Sequence, residues 1–315
     1  MIKTAKAFAP GAISSFFEIQ DNTTDGKPIA NLERVGARGG GFGLQSGIHT
    51  QVTVEEANAN TVQIFINSQP TREAKTTESA VQTLLKQTSK KYMVTVEHQV
   101  DVPIGMGFGT SAGGALTAGL ALKEALTLPL TGNQIGKIAH VSEIQCQTGL
   151  GTVGSLTVGG GLILVTEPGA PGICQVDRIP ISPDYVIVAG FFYPRIPKSV
   201  LSSSERKVLI NRYGKIALQR ILAEPSLENF LVSCWDFAQN AGFATENVRR
   251  LVRLAEKAGA VGATQNMIGE AVHAVVLEEN AVSVAEAFKQ LLPNERILTS
   301  KVNFQGARLV GHEEV

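Results

Sequence analysis

The chain has 315 residues, 18% of them charged, and its 28 Lys+Arg balance 28 Asp+Glu; without a block of like charge, nucleic acid and membrane surfaces are disfavoured as partners, and a small anionic substrate needs only local positive charge. That length exceeds the usual single-core size, so two domains sharing a cleft are expected. Cys146, Cys174 and Cys234 are odd in number, far apart and without a C-x-x-C pair, which argues for reduced structural thiols in the cytoplasm against a disulfide framework or zinc site. The N-terminus has no signal-like apolar core and no apolar run reaches 18 residues, so neither secretion nor a membrane span is expected.

In chain order, AKAFAPGAISSFFEI (5–19) is apolar on both sides of Pro10-Gly11 and reads as two strands, or one bent strand, around a turn. The turn-rich stretch that follows carries Arg34 and Arg38 beside a triple glycine and suits a hairpin with an exposed tip or a flexible wall of a site. The planar fork of arginine matches carboxylates, so Arg38 is a candidate for holding an acidic substrate, with a solvated surface residue as the alternative. Residues 47–56 and 61–67 alternate as strands, the apolar set between Thr71 and Gln87 suits one helix, and YMVTVEHQV (92–100) alternates as a further strand.

Residues 102–122 hold Gly105, Gly107, Gly109, Gly113 and Gly114 and then run on without proline to Pro129. A loop so poor in Cβ atoms can turn successive N–H groups toward one anion, Thr110 or Ser111 can cap the following helix, and the helix terminus adds positive potential. Phosphate is the natural guest. A Walker loop is excluded, because the first lysine is Lys123, far along the helix, and the dinucleotide fingerprint fails at Thr110.

TGNQIGKIAHVSEIQCQTG (131–149) predicts a helix with Glu143 beside its apolar face, and GLGTVGSLTVGGGLILV a loop leading into a strand. A boundary is placed near residue 183, dividing the chain into 1–183 and 184–315. Beyond it, residues 185–194 read as a buried strand and SVLSSSERKVLIN, KIALQRILAEP and SLENFLVSCWDFAQNAG as helices punctuated by Gly214, Pro225 and Gly242, with Ser199, Ser202 or Ser203 as a cap. A further amphipathic helix, ENVRRLVRLAEKAG, presents a solvated basic face. GAVGATQNMIGEAVHAVVLEE (259–279) reads as a small-residue loop and a strand in which His273 suits core packing better than catalysis, and a helix and a strand (296–304) close a βαβ-type second domain.

The string P-x-G-x-G-F-G-T-S-A-G-G (103–114) resembles the phosphate loop of the superfamily of galactokinase, homoserine kinase, mevalonate kinase and phosphomevalonate kinase, the GHMP kinases. Ala9-Pro10-Gly11-Ala12-Ile13 looks like that superfamily's first motif, and SSFFEI together with A-x-Q-N-M-I-G (263–269) resembles the archaeal pantoate kinases. The resemblance implies an α+β fold with a ribosomal-protein-S5-like N-terminal domain, a ferredoxin-like C-terminal domain and the active site between them. It implies ATP and Mg2+ as cofactors and transfer of phosphate to the hydroxyl of (R)-pantoate, giving 4-phosphopantoate on an archaeal route to coenzyme A. Another hydroxy-acid kinase, such as mevalonate or homoserine kinase, and a non-catalytic nucleotide-binding regulator are the alternatives.

By the same resemblance, Pro103, Gly105, Gly107, Phe108, Gly109, Thr110, Ser111, Ala112, Gly113 and Gly114 would hold the nucleotide. Ser111 and Glu143 would hold the magnesium, and Ser14, Ser15, Arg38, Thr152, Gln265 and Asn266 would meet the acceptor. Relatives carry an aspartate where this chain has Thr152, and some carry a lysine where it has Ala12, which puts carboxylate base catalysis in doubt without refuting a kinase, since phosphoryl transfer is mainly positioning and charge neutralisation. Low charge and many apolar strands are compatible with a homodimer.

Overall fold

The computed structural model describes residues 2–192, 204–267 and 269–311; the expected caps Ser199, Ser202 and Ser203 lie outside the described residues. The first sheet is built on two long antiparallel strands, β1 (Lys3–Gln20) and β2 (Gly36–Ala57). Pro10-Gly11 does not break β1, which passes it through a register shift, with a second shift between Ser14 and Phe16. The triple glycine, expected near a turn, is in β2 for a steric reason. A Cβ on Gly39 would lie 2.5 Å from the Phe16 carbonyl oxygen and one on Gly40 2.7 Å from that of Ile163.

β3 (Thr61–Ile66) and β4 (Gln69–Pro70) lead into helix α1 (Lys75–Leu85) and then β5 (Lys91–Val100), which pairs antiparallel with the second part of β2 and parallel with β3. Helices α2 (Thr110–Leu126), α3 (Gly132–Gln145) and α4 (Thr152–Val158) follow, and β6 (Leu162–Glu167) and β7 (Gln175–Ile179) extend the sheet from the first part of β2. Alternate residues Ala5 and Ala7 of β1, Val52 and Val54 of β2, and Val94 and Val96 of β5 bury one face against α1 and α2.

The second sheet contains β8 (Tyr185–Phe191), β9 (Gly262–Asn266), β10 (Ala271–Leu277) and β11 (Ile297–Lys301) in the order β11-β8-β10-β9, every pair antiparallel. Helices α5 (Ser204–Ala223), α6 (Leu227–Asn240) and α7 (Glu246–Lys257) precede β9, and α8 (Ala281–Phe288) precedes β11. Strand order 4-1-3-2 with helices after the first and third strands is the expected ferredoxin-like arrangement. The small-residue stretch before His273 is β9, not a loop. The last described strand, β12 (Arg308–Val310), returns to the first sheet beside β1.

Gly214 was expected to separate two helices, yet α5 runs through it. A Cβ there would come within 2.8 Å of the Phe17 carbonyl carbon, so the glycine lets α5 lie directly on β1. The favourable packing of a long helix outweighs the roughly 1 kcal/mol that a mid-helix glycine costs. Phe16 and Phe17 of β1 and Phe42 of β2 meet Phe230 and Phe237 of α6, with ring centroids 5.6 to 6.4 Å apart, in the main apolar cluster between the two sheets.

Beneath Thr117 of α2 the packing includes a buried polar group. His98 of β5 is buried with Nδ1 2.7 Å from Thr50 Oγ1 and Nε2 3.2 Å from Thr77 Oγ1, while Thr50 and Thr117 hydroxyls are 2.5 Å apart. Burial lowers the His98 pKa to about 4, so between pH 6.5 and 4 the unfolded chain binds a proton that the folded chain refuses. Stability therefore falls as pH drops through that window, by about 1.4 kcal/mol per pH unit for one proton. In denaturant unfolding measured at a series of pH values, His98→Gln should flatten this slope by about one proton; an unchanged slope would place the titration elsewhere.

Candidate active site

β5 ends at Val100, and residues 101–109 form an irregular loop in which Gly105, Gly107 and Gly109 have φ of 78°, 79° and 67°. Met106 and Phe108 point into the core, anchoring the loop from behind, and the Phe108 carbonyl accepts from the Ala12 amide at 3.0 Å. Space is closed on that side. A Cβ on Gly107 would lie 2.5 Å from the Met267 carbonyl oxygen, and one on Gly109 2.9 Å from Ala12 Cβ and 3.0 Å from Thr152 Cγ2; one on Gly105 would meet nothing within 4 Å.

Neither Thr110 nor Ser111 caps α2. The N-cap is Gly109 in the left-handed region, without a side-chain cap hydrogen bond, so both hydroxyl residues already belong to the first helical turn. A left-handed N-cap leaves the first-turn N–H groups to an outside acceptor, and together with the helix dipole they form a site for an anion.

Glu143, near the end of α3, is 2% exposed, and its Oε2 has no hydrogen-bond partner among the described residues. Burial raises its pKa to about 8. An isolated buried carboxylate is costly unless a cation compensates it. Among the described residues no group of three or more His, Cys, Asp or Glu could hold a metal, so a cation at Glu143 would complete its shell with hydroxyl, phosphate or water oxygens. That donor set fits magnesium. Ser111 stands in the first turn of α2, which shares an apolar cluster through Ala112, Ala115 and Leu116 with Ile135 and Ala139 of α3.

The loop expected around Thr152 is partly helical, α4 beginning at that residue. Residues 149–152 join the parts of the site. Gly149 packs on the Glu143 carboxyl group, a Cβ on Gly151 would lie 3.5 Å from the Ala37 amide nitrogen, and the Thr152 methyl group borders Gly109. Arg38, next to Ala37, spans Glu167 at 3.3 Å and Glu18 at 3.7 Å with its side chain partly exposed, so its fork is engaged by carboxylates of the chain. Charge pairing across strands, absent from any local motif, decided this.

The other acceptor candidates approach from two sheets. Ser14 is half-buried and its carbonyl accepts from the Met267 amide at 2.9 Å. Ser15 is fully buried, as are Gln265 and Asn266 at the end of β9. Gln265 Nε2 donates to the Gly269 carbonyl at 2.9 Å. His273, expected as a packing residue, is fully buried and in addition bonds both Ser15 and Asn266; its place opposite Thr264, next to the Q-N pair, exists only through strand pairing.

These elements coincide with similarities to known proteins. The family model described as GHMP kinases N terminal domain matches residues 75–160, which contain α1, the glycine loop, α2, α3 and Thr152. The chain is 31% identical over 276 residues to a pantoate kinase of Methanocaldococcus jannaschii, covering 86% of this chain and 93% of that one. It is 30% identical to a pantoate kinase of Thermococcus kodakarensis over 91% of each. A solved structure described as a phosphotransferase related to the CoA biosynthesis pathway superposes with a TM-score of 0.84 at 26% identity, covering 99% of this chain and 100% of the other. Taken with the glycine loop, the unpaired Glu143 and the two sheets that meet around them, these similarities show that the chain belongs to the GHMP kinases, a family of ATP-dependent small-molecule kinases, and within it to the pantoate kinases.

Proposed function

We propose that this kinase transfers the γ-phosphoryl group of ATP to the hydroxyl of (R)-pantoate, giving (R)-4-phosphopantoate on a route to coenzyme A. The observation that carries the reading is the uncapped first turn of α2 behind three left-handed glycines, in a chain with the buried unpaired carboxylate of Glu143 on the helix beside it. In this reading the cleft lies between units 1–183 and 184–315; β12 pairs back onto β1.

In this reading, backbone N–H groups of residues 105–112 hold the phosphates, the Gly113 N–H being given to the Gly109 carbonyl at 3.0 Å, and Pro103 and Phe108 fix the loop's entry and its anchor. Ser111 and Glu143 would hold magnesium, which would neutralise charge on the phosphoryl oxygens. The pantoate hydroxyl oxygen forms a bond to the γ-phosphorus as the bond from that phosphorus to the β,γ-bridging oxygen breaks, ADP leaving with the electron pair. No carboxylate stands at position 152, so the hydroxyl proton departs late, to the transferred phosphoryl group or to water, as a loose transition state allows. The Thr152 hydroxyl holds the acceptor hydroxyl in line by one hydrogen bond. Arg38 exchanges the half-exposed Glu167 for the substrate carboxylate, and Ser14, Gln265 and Asn266 border the acid.

Purified protein with ATP and magnesium should release ADP at a substantial rate only when pantoate is added, with mevalonate and homoserine as controls; faster turnover of either control, or turnover of none, would reject the assignment. Gly107→Val forces a side chain against the Met267 carbonyl from a backbone conformation costly for a branched residue. Calorimetry on the folded variant should show ATP affinity reduced by about tenfold or more. Glu143→Gln keeps the shape and removes the charge, so half-maximal rate should need more magnesium and kcat should fall by roughly a hundredfold. A magnesium titration indistinguishable from the parent would remove Glu143 from the metal site.

A further inference from the structure

His273 lies in β10, on the face of the second sheet that is turned toward the first, and it is fully buried with its ring 5.7 Å from that of Phe42. Its two nitrogens bond residues on different sheets: Nε2 is 3.0 Å from Ser15 Oγ of β1, and Nδ1 is 2.7 Å from Asn266 Oδ1 of β9. The backbone bond from the Met267 amide to the Ser14 carbonyl runs between the same two segments. His273 therefore helps to clamp the end of β9 to β1 where both touch the glycine loop.

Proton bookkeeping fixes the direction of this chain. A neutral imidazole has one N–H and one acceptor nitrogen, and burial, which lowers the His273 pKa to about 3, keeps it neutral. Asn266 Oδ1 can only accept, so Nδ1 carries the proton and Nε2 accepts from the Ser15 hydroxyl. One donor group remains unused. Asn266 Nδ2 is buried without a partner among the described residues, and a buried amide without an acceptor is costly. Its location is informative, because Asn266 Cβ would be 3.3 Å from a Cβ placed on Gly107, directly against the phosphate loop.

We propose that His273 is a positioning residue: as the Nδ1–H tautomer it fixes Asn266 Oδ1, and so reserves the Asn266 amide N–H2 as the donor to an anionic oxygen of the ligand held against the glycine loop. The shared chemistry is a phosphoryl or carboxylate oxygen, from ATP or from the hydroxy acid. The inference rests on the kinase reading for the identity of those ligands alone.

Two measurements on the full chain test it. Long-range proton–nitrogen NMR of histidine-labelled protein should show His273 as the Nδ1–H tautomer without any ligand, its signals assigned by their loss in His273→Gln; an Nε2–H pattern would overturn the proposal. This readout stands even if pantoate proves the wrong substrate. Steady-state kinetics and calorimetry on His273→Phe, Asn266→Ala and the double variant should then show KM and Kd for one ligand raised by about tenfold or more, with a smaller change in kcat. The double variant should be no worse than Asn266→Ala alone, and His273→Gln, whose amide can still donate to Asn266, should recover part of the loss. An effect on ATP identifies the phosphoryl oxygen and an effect on the acid its carboxylate. Independent, additive losses, or equal losses for both ligands through kcat only, would show structural damage in place of positioning. If His273→Phe does not fold, the tautomer and the Asn266→Ala affinities decide the question.

Discussion

Close backbone approach around the glycine loop is the constraint on which the other parts of this site depend. Gly107 faces the carbonyl at Met267 and Gly109 faces Ala12 and Thr152, so three segments distant in sequence converge where no side chain can fit. The closed side is what leaves the other side available. With Met106 and Phe108 drawn into the core, the first turn of α2 carries no side-chain cap, and N–H groups so placed suit an anion.

That convergence also explains why the two sheets need a well-packed contact. The Phe16, Phe17, Phe42, Phe230 and Phe237 cluster joins β1 and β2 to α6, and the S-F-F run that marks the subfamily resemblance supplies two of its rings. Aromatic burial of this kind fixes the spacing between the sheets, while the polar bonds of Ser15, His273 and Asn266 fix register and orientation within it. Apolar contact alone would tolerate small slips that a phosphate site cannot.

Polar groups in this region occur in places where their local cost is high. Among the described residues Glu143 Oε2 has no hydrogen-bond partner, and burial pushes its pKa upward. A cation bound there would favour the charged form, and in the proposed reading this would couple the folded state to cation binding. His98 and its threonine neighbours have the opposite character: they are satisfied internally and support α2 from below. A satisfied network contributes rigidity, whereas an unsatisfied buried group keeps unused capacity for a hydrogen bond.

The glycine loop, the helix after it, Glu143 on α3 and the kinase family were legible in the sequence because each depends on residues close together in the chain: a density of missing Cβ atoms, a helical period, a short motif. The order of strands in the second sheet was likewise approached through the family resemblance. Only the tertiary structure decided that Gly109, and not a hydroxyl residue, occupies the N-cap, because that depends on a left-handed backbone angle at a position where Ala12 and Thr152 across the site leave no room for a Cβ. It alone carried α5 through Gly214 by laying that glycine on β1, and it alone gave Arg38 two carboxylates and His273 two partners from strands far away in sequence. Local sequence carries backbone preference and periodicity, whereas a hydrogen bond or steric exclusion between distant strands exists only once register and packing have brought them together.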